Sequence, residues 1–230
     1  MYLSRVQIDT NNRRKIKDLT HLGAYHNWVE QSFPNEISGH VRLRHLWRID
    51  QLGGKQYLLV LSADKPDLEQ LEEYGVPGTA ASKDYDLFLQ GLSLGETLNF
   101  RLTANPTHSV PQEGQRGRVY PHVTVRHQME WLVQRAPEAG FRINESSAPA
   151  IVADGAKDVD KELNRLAFNL VSRDQPILRH KGMHVVRVRR VTYEGVLTIT
   201  DLDKFKQTLT NGLGREKAYG MGLMTVIPVK

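Results

Sequence analysis

The sequence predicts an α+β protein made of two tandem ferredoxin-like (RRM-like) domains, each an antiparallel sheet with helices on one face. In the first half, segments of alternating apolar and polar residues are interrupted by two helical segments, in the order β-α-β-β-α-β. That order is typical of the split βαβ fold. The second half repeats the order less clearly. We place the domains at residues 1–105 and 106–230.

The elements of the first domain follow from hydrophobic periodicity and from breaker residues. They are a strand at residues 2–9, a helix at 18–32, strands at 41–49 and 56–62, a helix at 66–73 and a fourth strand at 96–103. Phe33-Pro34 ends the first helix, because proline disfavours helical geometry in the residue before it. In strand 41–49, Arg42, Arg44 and Arg48 alternate with apolar residues and are predicted to lie on its outer face.

The second domain follows residues 104–122, a segment with proline and glycine that is either a connection or an extended hairpin. Its predicted elements are a helix at 124–139, a strand at 141–144, paired strands at 184–191 and 193–200, a helix at 201–209 with Asp201 as N-cap, and a final strand at 219–229. Residues 145–182 lack steady periodicity. A strand at 150–152, a partial helix at 158–171 and a mobile insertion all stay open there.

Composition excludes several classes of protein. No apolar run approaches the roughly 20 residues that span a bilayer, and the N-terminus reads as a strand rather than a signal peptide, so a cytoplasmic protein is expected. The chain has no cysteine, which excludes disulfides and thiol nucleophiles. None of its nine histidines stands in a metal-binding spacing such as HExxH, and we expect neither a metal nor another cofactor.

The charge of the chain favours an anionic partner. Its net charge is +5, and residues 173–190 contain six cations against one acid. Arg187, Arg189 and Arg190 are interleaved with valines of a predicted strand, so this run is either a solvated face or a rigid surface that binds phosphates. Arg116 and Arg118, in the preceding basic segment, are candidates for outer phosphate contacts.

A glycine-rich loop at residues 212–223 precedes the closing strand. Glycine lets a backbone approach a ligand closely, and the two cations supply charge, which suits the loop to an RNA backbone. Loops of this kind also close ordinary hairpins. The candidate RNA-binding residues in it are Gly212, Gly214, Arg215, Lys217, Gly220 and Gly222.

His26 is the candidate for acid–base chemistry. It falls within or at the edge of the apolar stripe of the first helix. One interpretation is a core histidine with a nitrogen satisfied by a carbonyl group. The other is a partly desolvated imidazole at the domain junction, which exchanges protons near neutral pH. The sequence leaves both open.

Six segments in order resemble the CRISPR repeat-processing endoribonucleases of the CasE type, which make guide RNA for the Cascade surveillance complex. They are Met1 to Val6, His26 placed seven residues before Phe33-Pro34, Phe100 to Pro106, Val125 to Leu132, Tyr193 to Ile199, and the glycine-rich loop. The resemblance covers nearly the whole chain.

The resemblance implies metal-independent cleavage of a repeat stem-loop at its 3′ base, by attack of the upstream 2′-hydroxyl group. The products would be a 2′,3′-cyclic phosphate and a 5′-hydroxyl, and the enzyme would retain the product hairpin. The histidine of the family's first helix is catalytic, and that position is His26 here. Some relatives carry a tyrosine three residues before the histidine, where this chain has Gly23. Tyr25, directly before His26, is therefore the candidate here for a supporting catalytic role. Implied partners are the repeat RNA stem-loop and other Cascade subunits, with a monomer when free.

The stem of such an RNA has a deep, narrow major groove that a projecting basic hairpin can approach. The paired strands around Arg187, Arg189 and Arg190 are our candidate for that hairpin.

Two other functions stay open: a non-catalytic RNA-binding subunit of the same architecture, and an enzyme that binds a small anionic metabolite in the glycine-rich loop.

Overall fold

The structure is a computed structural model that describes residues 1–146, 148, 150–151, 161–178 and 186–229. It contains two antiparallel sheets in tandem, each with the strand order of a ferredoxin-like domain, which confirms the predicted fold class. Among the described helices, none has the length and apolar character that crossing a membrane requires.

The first sheet has the strand order β2-β3-β1-β4. Its elements and the helices beside it are β1 (Tyr2–Gln7), α1 (Leu22–Gln31), α2 (Pro34–Ser38), β2 (Leu46–Leu52), β3 (Lys55–Ser62), α3 (Leu68–Leu71), β4 (Ala81–Asp84) and α4 (Asp86–Gly91). Trp28 and Val29 of α1 are buried against this sheet together with Val6, Leu58 and Val60.

The second sheet has the order β13-β5-β12-β8, and β9 also pairs with β12. The elements are β5 (Thr97–Ala104), β6 (Thr107–Gln112), β7 (Gln115–Pro121), α5 (Val125–Arg135), β8 (Phe141–Ile143), β9 (Phe168–Asp174), β10 (Ile177–Leu178), β11 (Val186–Arg187), β12 (Arg190–Ile199), α6 (Leu202–Asn211) and β13 (Met224–Pro228). Asp201 caps α6 as predicted, because its carboxylate accepts the Lys204 amide at 3.1 Å. β6 and β7 form a separate two-stranded hairpin, so residues 107–121 are the extended hairpin rather than a plain connection.

The prediction that residues 96–103 form the fourth strand of the first sheet is wrong. Thr97–Ala104 pairs with β12 and β13 in the second sheet, and the short strand Ala81–Asp84 closes the first. We therefore propose moving the domain boundary from 105/106 to residues 92–96.

The predicted pairing of residues 184–191 with 193–200 is also wrong. Arg190–Ile199 is one continuous strand, whose edges are occupied by β5 on one side and by β8 and β9 on the other. No turn residue separates Val191 from Tyr193, so nothing bends the chain there. In the open region, Phe168–Asp174 is a strand, which excludes a helix extending to residue 171. Residues 152–160 lie outside the described part.

Arg48 connects the two sheets. Its guanidinium group donates to the carbonyl oxygens of Arg101 and Leu223 at 2.8 and 2.9 Å, and it pairs with Asp50 at 2.7 Å. The side chain is 2% exposed, so the prediction of an outward-facing Arg48 is wrong. Alternation fails because the second sheet covers the opposite face of β2, so that Leu46, Trp47 and Arg48 are all buried.

Candidate active site

Helix α1 presents His26 at the surface of the first domain. His21 caps the helix by accepting the Ala24 amide at 3.1 Å, while the buried side chains of Trp28 and Val29 anchor the helix in the core. The His26 side chain is 34% exposed. Of the two interpretations open from the sequence, this partial exposure favours the imidazole that can reach a ligand.

The glycine-rich loop lies against the same helix. The indole N–H of Trp47 donates to the Ala218 carbonyl oxygen at 3.0 Å, and Met221 is fully buried in the core of the first domain. These contacts bring the ring of Tyr219 to the ring of His26, with centroids 5.9 Å apart. Residues from the two ends of the chain therefore meet at His26.

The glycines of this loop pack against the protein itself. Gly220 has φ +76°, and a Cβ there would lie 2.6 Å from the ring of Trp47. A Cβ at Gly212 would contact Leu46, and one at Gly214 would contact Trp131. This close packing explains the glycines without an RNA contact, so the roles of Gly212, Gly214, Gly220 and Gly222 in binding RNA stay predictions.

A row of ionisable groups extends inward from His26. Glu30, one turn later on α1, places Oε1 3.8 Å from His26 Nδ1 and 2.9 Å from His45 Nδ1. The other nitrogen of His45 lies 3.1 Å from Glu36 Oε1. His45 is buried and stacks on Phe33, with ring centroids 3.9 Å apart. Because both nitrogens of His45 face carboxylate oxygens, this contact geometry favours its protonated form.

The pKa values follow from this arrangement. Burial lowers the pKa of His26, and Glu30 partly opposes that effect. Burial alone would lower the pKa of His45, but its hydrogen bonds with Glu30 and Glu36 raise it overall. For Glu30, burial raises the pKa, but the hydrogen bond from His45 together with the charges of His45, His26 and Arg42 lowers it overall. His26 is therefore neutral to lower pH than an ordinary histidine, beside an ionised Glu30.

Cationic side chains surround this site. Burial and the nearer partners described above have the larger effects on the pKa values of His26 and Glu30. The positive charge of Arg42 adds a smaller effect that lowers both pKa values. Burial chiefly lowers the pKa of Lys217, and the charge of Arg44 adds to that effect. Lys217 also donates to the Asn211 carbonyl oxygen at 2.7 Å, and Arg215 is exposed. The surroundings of His26 are thus suited to an anion such as a phosphodiester.

Tyr25 faces a different part of the molecule. Its ring packs on Trp28 and Trp47, with centroids 6.3 and 6.0 Å away, and it lines a cleft of about 1070 Å³ between the two sheets. Burial raises the pKa of Tyr25, and Arg190 partly opposes this. A catalytic role for Tyr25 stays a prediction that none of these contacts supports.

In the basic run at residues 173–190, Ile177–Leu178 pairs antiparallel with Val186–Arg187. Residues 179–185 between these strands lie outside the described part, so a projecting basic hairpin there stays a prediction. Arg190 begins β12 and pairs with Asp174, and the Arg189 guanidinium lies beside the Gln175 side chain. The backbone of Arg187 belongs to β11, its side chain lies outside the described part, and so do Arg179 and Lys181. The β6–β7 hairpin carries the exposed cation Arg118; the side chain of Arg116 there is not described.

The part of the chain that the structure describes contains no group of three or more histidines and carboxylates arranged to hold a metal ion.

Sequence reasoning missed Glu30, His45 and Tyr219 as neighbours of His26. For Glu30 a signal existed, because residues four apart on a helix share a face. For the other two, only the tertiary fold brings them to α1.

A family model described as CRISPR associated protein matches residues 1–228. The CRISPR-associated endoribonuclease Cse3 of Thermus thermophilus is 27% identical over 230 residues, which cover 99% of this chain and all of that protein.

Two solved structures share the fold. A structure of CRISPR endoribonuclease Cse3 bound to 19 nt RNA has a TM-score of 0.78 at 24% identity, covering 99% of this chain and 100% of the other. A chain of a CRISPR RNA-guided surveillance complex, pre-nicking, has a TM-score of 0.63 at 21% identity, with both chains fully covered.

Proposed function

Because the chain belongs to the family of CRISPR-associated proteins, we propose that it is an endoribonuclease that cleaves CRISPR precursor RNA at the 3′ base of the repeat stem-loop and stays bound to the product. The observation that carries this proposal is His26, partly exposed beside the glycine-rich loop and surrounded by cations. The names of the similar proteins, an endoribonuclease and an RNA-bound structure, support the same activity.

In the proposed reaction, His26 moves the proton. Because Glu30 lies beside Nδ1, Nε2 is the nitrogen left to face the RNA. Nε2 takes the proton of the 2′-hydroxyl group as its oxygen bonds to phosphorus and the bond from phosphorus to the 5′-oxygen breaks. The leaving oxygen takes up a proton from water and the imidazolium returns its proton to the solvent, which gives a 2′,3′-cyclic phosphate and a 5′-hydroxyl. Arg42, Arg44, Arg215 and Lys217 would offset the charge that develops on the phosphate.

We assign the stem of the RNA to the β6–β7 hairpin. This two-stranded element is separate from both sheets and carries the exposed cation Arg118. A narrow ribbon with cations can follow the deep major groove of A-form RNA, which ordinary side chains do not reach. The partners of the protein would then be the repeat stem-loop and the other subunits of a surveillance complex. They would meet in the cytoplasm, where the precursor transcript is made.

The test is incubation of the purified protein with a repeat hairpin RNA in excess chelator. We expect a single cut at the 3′ base of the stem, a cyclic phosphate on the upstream product, and no cut when the nucleotide before the scissile phosphate lacks its 2′-hydroxyl group. Binding without any cleavage would instead favour a non-catalytic RNA-binding subunit. A protein that binds free nucleotides and from which hairpin RNA does not displace them would point to a metabolite enzyme.

A further inference from the structure

We propose that Glu30 is a positioning residue for His26 and that the buried pair His45–Glu36 holds Glu30 in place. The proposal rests on the proposed ribonuclease function, and it adds three residues to the site that carry no assigned role. It concerns the orientation and charge of the catalytic imidazole rather than any direct contact with RNA.

The geometry begins with one oxygen atom that faces two histidines. Glu30 Oε1 is 2.9 Å from His45 Nδ1, a hydrogen bond, and 3.8 Å from His26 Nδ1, slightly beyond one. Catalytic hydrogen bonds are often long in the free enzyme and shorten when substrate binds. Glu30 therefore stands where it can accept the Nδ1–H of His26, which fixes the tautomer that leaves Nε2 free for the 2′-hydroxyl group.

Glu30 is itself fixed from behind. His45 is 1% exposed in its side chain, stacks on Phe33 and bonds Glu36 through Nε2 at 3.1 Å. Glu36 is held in turn because its second oxygen accepts the Leu43 amide at 3.1 Å. Ordering an exposed glutamate so that it orients His26 would cost side-chain entropy. Glu30 is already held by His45 before RNA binds.

The charges have opposite effects on His26. The groups that face it are Glu30 on its own helix, Arg42 and His45 on the segment leading into β2, and Tyr219 on the glycine-rich loop. Glu30 favours the protonated imidazole, whereas His45 and Arg42 disfavour it. A carboxylate and a buried cation thus act on one imidazole from the same side, which gives two substitutions with opposite expected effects.

The first experiment measures the titration of His26 by NMR in the free protein, with resonances assigned against His26→Ala. In Glu30→Gln the carboxylate charge is lost, and although His45 also loses a partner, Glu30 has the larger effect on His26, so we expect the pKa of His26 to fall. In Glu36→Gln, His45 loses one carboxylate partner and becomes neutral more easily, so we expect the pKa of His26 to rise. Glu69→Gln, an exposed residue of α3, is the control for the charge change and should leave the titration unchanged.

The second experiment measures single-turnover cleavage against pH. We expect the acid limb of the profile to move to lower pH in Glu30→Gln and to higher pH in Glu36→Gln. At the plateau, cleavage in Glu30→Gln should fall by about tenfold, less than the roughly 10²- to 10⁴-fold of general acid–base catalysis itself, because the imidazole is kept. The RNA dissociation constant should stay within about twofold, a difference under 1 kcal/mol.

Opposite shifts in the two variants support the proposal, because a purely structural role does not predict opposite signs. Titrations and profiles identical to those of Glu69→Gln would overturn it and leave the proposed function standing. Absence of cleavage by the wild-type protein would overturn the proposed function, whereas the titration of His26 is measured without RNA and is judged separately.

Discussion

The imidazole of His26, on the first helix, and the ring of Tyr219, in the glycine-rich loop near the C-terminus, have centroids 5.9 Å apart. Each residue comes from a different end of the chain, and the contact depends on how the loop packs on Trp47. The surroundings of the candidate catalytic group therefore depend on the junction between the first domain and the C-terminal loop.

Gly220→Ala tests that dependence. The new Cβ would clash with the Trp47 ring, and φ of +76° strains any residue with a side chain. We expect a loss of stability of about 1–3 kcal/mol and slower cleavage, measured by urea unfolding and single-turnover assays. Gly53→Ala is the matched control, since Gly53 has φ +57° and no neighbour within 4 Å. It should cost about 1 kcal/mol of backbone strain and leave cleavage unchanged; equal effects on cleavage would refute the packing argument.

Arg48→Met should destabilise the protein by about 3 kcal/mol, because Asp50 keeps only Arg101 as a cationic partner and the carbonyl oxygens of Arg101 and Leu223 lose the Arg48 donor at the sheet junction. The measurement is the free energy of unfolding in urea. Arg126→Met, at an ion pair with Glu130 that is 52% exposed on the arginine side, should change it by at most about 0.5 kcal/mol. Similar losses in both variants would rule out a structural role for Arg48 at the junction.

His45 should make stability depend on pH. Burial lowers its pKa, but the hydrogen bonds with Glu30 and Glu36 raise it above the ordinary 6.5 overall. The folded state therefore binds this proton more tightly than the unfolded state, and the stabilisation is fully present below pH 6.5 and is lost as pH rises through the raised pKa.

The stability difference between the wild type and His45→Gln should therefore be largest in mild acid and shrink in base. Unfolding curves at a series of pH values measure it. A difference that is constant with pH would show that His45 is not protonated in the folded protein.

Arg118→Ala should weaken binding of the repeat hairpin and lower the slope of log affinity against log salt by about 1, as expected for one lost phosphate contact. Arg142→Ala, at an exposed position on β8 in the same domain, removes the same charge away from the β6–β7 hairpin. If both variants reduce the slope equally, the effect comes from net charge and the hairpin has no special role.

Local periodicity predicted most elements of the fold but not their partners. Thr97–Ala104 has the alternation of a strand, yet nothing in that pattern tells which of two sheets it joins. The true fourth strand of the first sheet, Ala81–Asp84, is short and mostly exposed, so it carries little hydrophobic signal. Arg48 shows the same limit, because an alternating pattern predicts one solvent-exposed face of a strand and does not reveal that a second sheet covers that face.

The sequence predicted His26 and the glycine-rich loop as parts of the candidate site, but not the side chains that surround His26. His26 and the glycine-rich loop stood out by residue type, and family resemblance connected them. His45 was visible only as an inward residue of a strand, and its bonds to Glu30 and Glu36 depend on the path of residues 39–45, where no regular element forms. Side-chain pairs between distant segments are set by tertiary packing, which a single sequence does not display.

The most direct test of the central claim is single-turnover cleavage of a repeat hairpin by His26→Ala. If the imidazole transfers the proton, the rate should fall by about 10²- to 10⁴-fold, while affinity for the uncleaved hairpin stays within a few fold of the wild type. A His26→Ala protein that binds the hairpin and cleaves it at the wild-type rate would contradict the account.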